Sequence, residues 1–344
     1  MKDFNLLFTC SSGHIAELIE VLRDNPDGAK IGIYTCNADY HRLPPRGFSD
    51  GDFVVPPMSD SDYVQNLHKL CEKNRIDIII PTVTLELEYL AKRALQFYEK
   101  GVKVSVSSLD SLLVANNKIA LQKAYPEYMP AQIVTRSWGD VLFFRSNLPK
   151  GTLLCCKLPD HAGGNGFAIV DDEKANDPAY FNRYATERYI STDQLRQLVL
   201  SYDKDVLIQE YKPGLDYSVC VLANRGEISH IVGYVGYVMS YGAIMSGEIQ
   251  RNEAAYAIAE KIVRDLILDG NACFDFRIGP DGSVTLLEIN PRVNASLPFI
   301  AKAGVNMAYI RCKNLLGDFS DWDKEDDIRY GLKMKKFYST AYYE

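Results

Sequence analysis

The chain has 344 residues, 47% hydrophobic and 24% charged, with a formal net charge of −7. That length allows two or three domains, and that balance excludes a disordered or collagen-like chain. The acidic charge and the lack of a basic run argue against a nucleic-acid partner, and no apolar run approaches the ~18–20 residues of a membrane span.

The opening "MKDFNLLFTCSSGH" lacks the apolar length of a signal peptide. Eight cysteines include no Cys-x-x-Cys pair, and most lie in apolar runs. They read as buried thiols of a reducing compartment, so the expected location is cytoplasmic, with no disulfide frame and no zinc site.

Residues 1–112 alternate short β-like runs with longer helical ones. "FNLLFTC", "KIGIYTC", "IDIIIPT" and "KVSVS" predict strands; "GHIAELIEVLRD", "SDYVQNLHKLCEKN" and "ELEYLAKRALQFYEK" predict helices. This order predicts right-handed βαβ units and a parallel sheet. Ligands on such sheets sit at the carboxyl ends of strands, where Ser11, Ser12, Gly13, Thr82 and Glu86 fall. Arg42, Arg46, Glu86 and Glu88 also lie near strand ends, with surface placement the simpler reading for most of them.

Near residue 112 the pattern changes. "DSLLVANNKIALQKAY" predicts a helix and "PEYMPAQIV" a loop and strand. Strand-like runs then dominate, among them "TLLCCKLP", "GFAIV", "DVLIQEY", "DYSVCVLA" and "ISHIVGYVGYVM", interrupted by helical "TDQLRQLVLSY" and "NEAAYAIAEKIVRDLIL". Short turns between strands predict antiparallel sheets and an α+β unit. Residues 171–192 read as a polar surface excursion and 317–344 as a polar, aromatic tail.

Three stretches carry chemistry. In "CKLPDHAGGNGFAIV", Lys157 ends an apolar run and Gly163, Gly164 and Gly166 crowd the tip of a hairpin. Such a tip lets backbone N–H groups approach phosphate oxygens, with Lys157 as a point charge and His161 in reach; an ordinary mobile hairpin has the same composition. It matches neither a Walker A loop nor the Rossmann glycine fingerprint. In "LIQEYKPGLDYSV", Glu210 and Asp216 offer acceptors to an adenine amino group and to ribose hydroxyls, or are simply turn and strand-edge charges.

The third stretch is "CFDFRIGPDGSVTLLEINPR", residues 273–292, which reads as a hairpin. A connection of even length, 279–282 or 279–284, puts Asp275 and Glu288 on one face. The longer sets their Cβ atoms opposite at roughly 4.5–5.5 Å, the shorter diagonal at roughly 7–8 Å. Like charges so placed repel unless a cation lies between them. With Asn290 on the same face the set is all oxygen, which suits Mg²⁺; Arg292 beyond it suits a phosphate. A hairpin with polar edge residues is the plainer alternative.

Taken in order, Lys118 in "ANNK", Lys157 with its glycine loop, "QEYKPGLDYSV" and "FDFRIGPDGSVTLLEINPRVNASLP" resemble the ATP-grasp superfamily of carboxylate–amine and carboxylate–thiol ligases. The likeness is to a single synthetase module of the carbamoyl-phosphate synthetase large chain and to related stand-alone ligases. It implies a Rossmann-like parallel-sheet domain over 1–112, then two α+β ATP-grasp subdomains over 113–205 and 206–316, with 317–344 as a tail. It implies that Lys118 and Lys157 contact ATP phosphates and that the Gly163–Gly166 loop with His161 closes over them. Gln209, Glu210 and Tyr211 would line the adenine pocket, with Asp216 on the ribose. Asp275, Glu288 and Asn290 would hold Mg²⁺ as one or two ions, with Mn²⁺ as a substitute, and Arg292 with Lys157 would serve the transferred phosphoryl group.

The implied activity is an ADP-forming ligase joining a small carboxylate to an amine, with no nucleic-acid or membrane partner, and the resemblance is compatible with a homodimer. A single module without a glutaminase-like segment is not expected to make carbamoyl phosphate. The Tyr- and Gly-rich "HIVGYVGYVMSYGAIMSG" predicts an acceptor site unlike that of relatives. An ATP-binding switch without turnover is the alternative; a dinucleotide oxidoreductase is disfavoured by the missing glycine fingerprint.

Overall fold

The structure, a computed structural model, describes residues 3–158, 166–178, 188–240, 243–322, 327–337 and 340–342. Three sheets organise it. The first contains β1 (Phe4–Thr9), β2 (Ile31–Asn37), β3 (Gly51–Val54), β4 (Ile78–Pro81) and β5 (Lys103–Val104), in the order β3-β2-β1-β4-β5. Every pairing is parallel. Leu6, Phe8, Ile33 and Ile78 pack toward helix Ala16–Arg23, while Leu7 and Ile79 pack toward helices Tyr63–Asn74 and Thr84–Ala91. Helices on both faces explain why these strands read as unbroken apolar runs. The fold class expected from the sequence is present, including β3, whose four residues gave no clear signal.

The expected helix over "DSLLVANNKIALQKAY" is two helices, Leu109–Ala115 and Lys118–Ala124. Asn117 separates them because its side-chain oxygen accepts from the N–H groups of Ile119 at 3.0 Å and Ala120 at 3.1 Å. Asparagine competes for backbone partners inside a helix and caps its start well. The consequence is that Lys118 opens a helix rather than sitting mid-surface.

The second sheet contains β6 (Gln132–Thr135), β7 (Leu154–Lys157), β8 (Phe167–Val170), β9 (Tyr189–Ile190) and β10 (Val206–Glu210), in the order β6-β10-β7-β8-β9. It is antiparallel except where β9 pairs parallel to β8. Helices Trp138–Ser146 and Thr192–Ser201 cover it through Val141, Phe144, Leu195 and Val199. In the segment expected to be irregular, Asp172–Asn176 is a helix capped by Asp171.

The third sheet contains β11 (Leu215–Asn224), β12 (Glu227–Ser240), β13 (Ala243–Ile249), β14 (Gly270–Ile278), β15 (Val284–Asn290) and β16 (Lys333–Lys335). Its order is β15-β14-β11-β12-β13-β16. The chain therefore crosses from the second sheet to the third at residues 211–214. Tyr217, Val219, Phe274, Phe276 and Ile289 pack on helix Glu253–Asp265 and on Leu121 and Tyr125. The opposite face carries Cys220, Val232 and Tyr234 into one core shared with β1 and with helices Leu297–Lys302 and Met307–Leu315.

The C-terminal segment is more than a tail: Lys333–Lys335 pairs antiparallel with β13 and extends the sheet. The buried Lys313 clamps the same region, donating to Asp27 at 2.9 Å and to Asp321 at 2.7 Å. Seven of the eight cysteines are buried and all are free thiols. Among the described residues no helix is long and apolar enough to cross a membrane.

Candidate functional site

The runs of 273–292 form the expected hairpin, β14 and β15, but not through an even connection. Five residues, 279–283, join them. Ile278 pairs with Val284 and Phe276 with Leu286, and then Asp275 pairs directly with Glu288. Leu287 is the extra residue of a β-bulge. In an unbulged ladder the same sequence, with its odd connection, would set Glu288 opposite Phe274, on the face of Phe274, Phe276 and Ile289. The shared face thus arises from two irregularities that cancel.

On that face Asn290 Nδ2 donates to Asp275 Oδ2 at 2.9 Å and to Glu288 Oε1 at 3.3 Å. Ser218, opposite Asp275 on β11, donates to Asp275 Oδ1 at 2.7 Å. Lys118 closes an ion pair with Glu288. Burial pushes Asp275 up to about 7, and the nearby Glu288 charge adds to the rise. Burial also pushes Glu288 up, but Lys118 and Lys157 outweigh it and hold that carboxyl at about 2. One carboxylate is neutralised by cations; its neighbour resists ionisation.

Lys157 ends β7 in the second sheet and reaches this face across the cleft, where its own ammonium is pushed down by burial against the pull of Glu288. Arg292 lies past the end of β15. Its Nε donates to Thr84 Oγ1 at 3.2 Å, Nη1 to the Val293 carbonyl at 3.0 Å and Nη2 to Asn290 Oδ1 at 3.3 Å. All three acceptors are neutral, and burial pushes the guanidinium pKa down. Among the described residues Arg292 makes no ion pair, so its charge is left for an incoming anion.

The remaining predicted residues are distributed as follows. Asp216 pairs with Arg277 at 3.2 Å, on the same face as Asp275. Glu210 accepts from Lys212 at 2.6 Å, and the Tyr211 N–H donates to the Leu153 carbonyl at 2.9 Å. Gln209 is buried within the second sheet and donates to Gln132 at 2.9 Å. Gln132 in turn donates to the Lys118 carbonyl at 3.0 Å, linking that sheet to the start of the Lys118 helix. Gly166 has a left-handed backbone, φ 72°, just before β8. His161, Gly163 and Gly164 lie outside the described residues. The structure therefore gathers Lys118, Lys157, Asp275, Glu288, Asn290 and Arg292 around one cleft, with Asp216 at its edge.

Thr84, Ser218 and Arg277 are additional members that the sequence reading missed. Ser218 and Arg277 were findable by strand parity, since they alternate with Asp216 and Asp275. Thr84 carries no sequence signal for contact with a residue so distant in the chain. Glu86, expected to be exposed or to grip a substrate, is fully buried. It accepts from Thr9 Oγ1 at 2.7 Å and from the Tyr63 hydroxyl, and burial raises its pKa. It is a satisfied core acid.

The carboxylates Asp275 and Glu288 with the Asn290 amide form an all-oxygen set that fits a hard divalent cation. Asp275, half-buried and held near neutrality by burial and by Glu288, is the kind of group a cation would draw into its ionised form. Among the described residues no cluster of three or more His, Cys, Asp or Glu side chains offers another metal site.

A family described as "ATP-grasp in the biosynthetic pathway with Ter operon" matches residues 202–339, and one described as "PylC-like, N-terminal domain" matches residues 7–105. This chain has the ATP-grasp fold. No curated protein matches it. Among solved structures, its ATP-grasp fold superposes on the ADP complex of purK, N5-carboxyaminoimidazole ribonucleotide synthetase. That match has a TM-score of 0.66 and 12% identity, over 97% of this chain and 81% of the other. An L-amino acid ligase from Bacillus licheniformis matches with a TM-score of 0.65 and 15% identity, over 97% and 79%. The biotin carboxylase domain of the Hydrogenobacter thermophilus 2-oxoglutarate carboxylase, in complex with MgADP and bicarbonate, matches at 0.68 and 14%, over 97% and 74%. At such identities the likeness is one of fold.

Proposed function

We propose that this protein of ATP-grasp fold is an ADP-forming ligase that activates a small carboxylate with ATP and passes it to an amine. The observation that carries the reading is the half-buried Arg292 guanidinium, bonded among the described residues only to neutral acceptors beside the Asp275–Glu288 pair. A cation drawn out of water without a counter-ion is costly unless an anion completes it.

In this reading Lys118 and Lys157 bind the ATP phosphates, and Lys118 exchanges Glu288 for phosphate when nucleotide arrives. Gln209, Glu210 and Tyr211 border the adenine, and Asp216 faces the ribose. Asp275, Glu288 and Asn290 hold Mg²⁺, which when bound neutralises charge on the phosphates. A carboxylate oxygen attacks the γ-phosphorus, the bond to the β-phosphate oxygen breaks and ADP leaves. Arg292 holds the transferred phosphoryl group through its charge. The amine then attacks the acyl carbon, and phosphate departs with the oxygen while the amine proton passes to solvent.

The solved neighbours support the reading by their own chemistry: one is an amino acid ligase and one a carboxyaminoimidazole ribonucleotide synthetase. The test is ADP and phosphate release across a panel of amino acids and small carboxylates. Release that requires both a carboxylate and an amine supports the ligase. Tight ATP binding without turnover on any pair would instead favour a nucleotide-binding switch.

A further inference from the structure

The far end of the third sheet carries a second polar cluster. β11 and β12 turn through Arg225 and Gly226, both with left-handed backbones, φ 49° and 86°. Such a turn favours Asn, Asp or Gly at its first central position, so an arginine there is held against its conformational preference. Arg225 lines a cavity of about 350 Å³ together with Asn224, Asp269, Arg311, Leu315 and Phe319.

Arg311 is only 3% exposed. Its Nη1 donates to Asp269 at 2.8 Å and its Nε to Ser105 at 3.1 Å. Its Nη2 is buried and has no hydrogen-bond partner among the described residues. Two guanidiniums and one carboxylate therefore line the cavity, which gives it a net positive charge, and Arg311 carries one unmet donor. Leu315 and Phe319 supply an apolar wall. The volume falls in the range of small-ligand cavities.

We propose that this cavity binds a small carboxylate with an apolar body, separate from the nucleotide cleft. Asn224 lies six residues along β11 from Ser218, a span of about 20 Å. Since Arg311 also holds Ser105, at the end of the N-terminal sheet, an anion here would engage the guanidinium that ties that sheet to the third one. The proposal does not depend on the chemistry of the cleft.

The experiment is calorimetric titration of the full chain with benzoate, phenylphosphate and inorganic phosphate, with and without a non-hydrolysable ATP analogue. Benzoate is expected to bind one site in both conditions. Arg225→Gly is expected to weaken it about tenfold or more, as for a lost charge-assisted contact. The same variant should melt higher, because glycine takes the left-handed turn freely. Unchanged benzoate affinity in Arg225→Gly, competition with the ATP analogue, or absence of benzoate binding would each overturn the proposal. Tighter binding of phenylphosphate than benzoate would overturn the carboxylate assignment, and equal binding of inorganic phosphate would overturn the apolar body. Failure of ligase turnover leaves these readouts untouched, so the two readings fail separately.

Discussion

Arg292 and Thr84 stand 208 positions apart in the chain, yet the guanidinium Nε and the threonine hydroxyl meet at 3.2 Å. The N-terminal domain thereby sets the orientation of the charge proposed to hold the phosphoryl group. Thr84→Val keeps the shape and removes the acceptor. It should lower kcat/KM for the carboxylate about tenfold while the dissociation constant for ATP stays put. Thr84→Ser should restore most of the loss, and steady-state kinetics with an ATP-binding titration checks both.

Glu288→Ala should reduce Mg²⁺-dependent ATP turnover by about a hundredfold or more, with the circular dichroism spectrum unchanged. The variant frees Lys118 and removes half of the opposed carboxylate pair. An active Glu288→Ala protein would sink the metal assignment.

The pH dependence follows from Asp275, whose folded pKa of about 7 lies above its usual value. Between the unfolded value of about 4 and pH 7 the folded state holds a proton that the unfolded chain has lost. Stability of the metal-free protein should therefore fall as pH rises through that window and level off above it. Glu288, held at about 2, acts the other way, and its contribution is lost only in strong acid. Melting curves in chelator from pH 4 to 8 should show the fall in the native protein and a shallower one in Asp275→Asn.

Deletion of Leu287 is the direct test of the bulge. With Phe276 still opposite Leu286, Glu288 would fall opposite Asp275 in a regular ladder, so the acid pair should survive the deletion. Mg²⁺-dependent turnover should persist; an inward-turned Glu288 would instead abolish it and bring an earlier urea midpoint.

Asn117→Ala removes the cap that starts the Lys118 helix. The expected loss is about 1 kcal/mol of stability with a raised KM for ATP. A Lys118 that acts only as a surface charge would leave that KM unchanged.

Much of this was legible in the sequence because it is local. The parallel sheet showed as unbroken apolar strands, and the acid pair as carboxylates inside apolar runs. The bulge was not, since an odd connection plus one inserted residue looks the same as a regular hairpin in a pattern of alternation. Glu86 misled for a related reason: a carboxylate at a strand end reads as exposed until the hydroxyls of Thr9 and Tyr63 are known to close over it. Pairing of β16 with β13 and contact of Thr84 with Arg292 are long-range facts that no periodicity carries.

The way the cores are divided has a mechanical consequence. The first and third sheets are fused through one apolar cluster, so they turn as a single body. The second sheet has an interior of its own, closed by Val141, Phe144, Leu195 and Val199. Its lobe is joined to the rest by backbone near residues 130–131 and 211–214 and by the Gln132–Lys118 bond, with Lys157 on this lobe and Glu288 on the fused body. Rotation about those two crossings changes the gap between them without opening either interior. The molecule is in effect a two-jawed vice whose screw is the charge placed between the jaws.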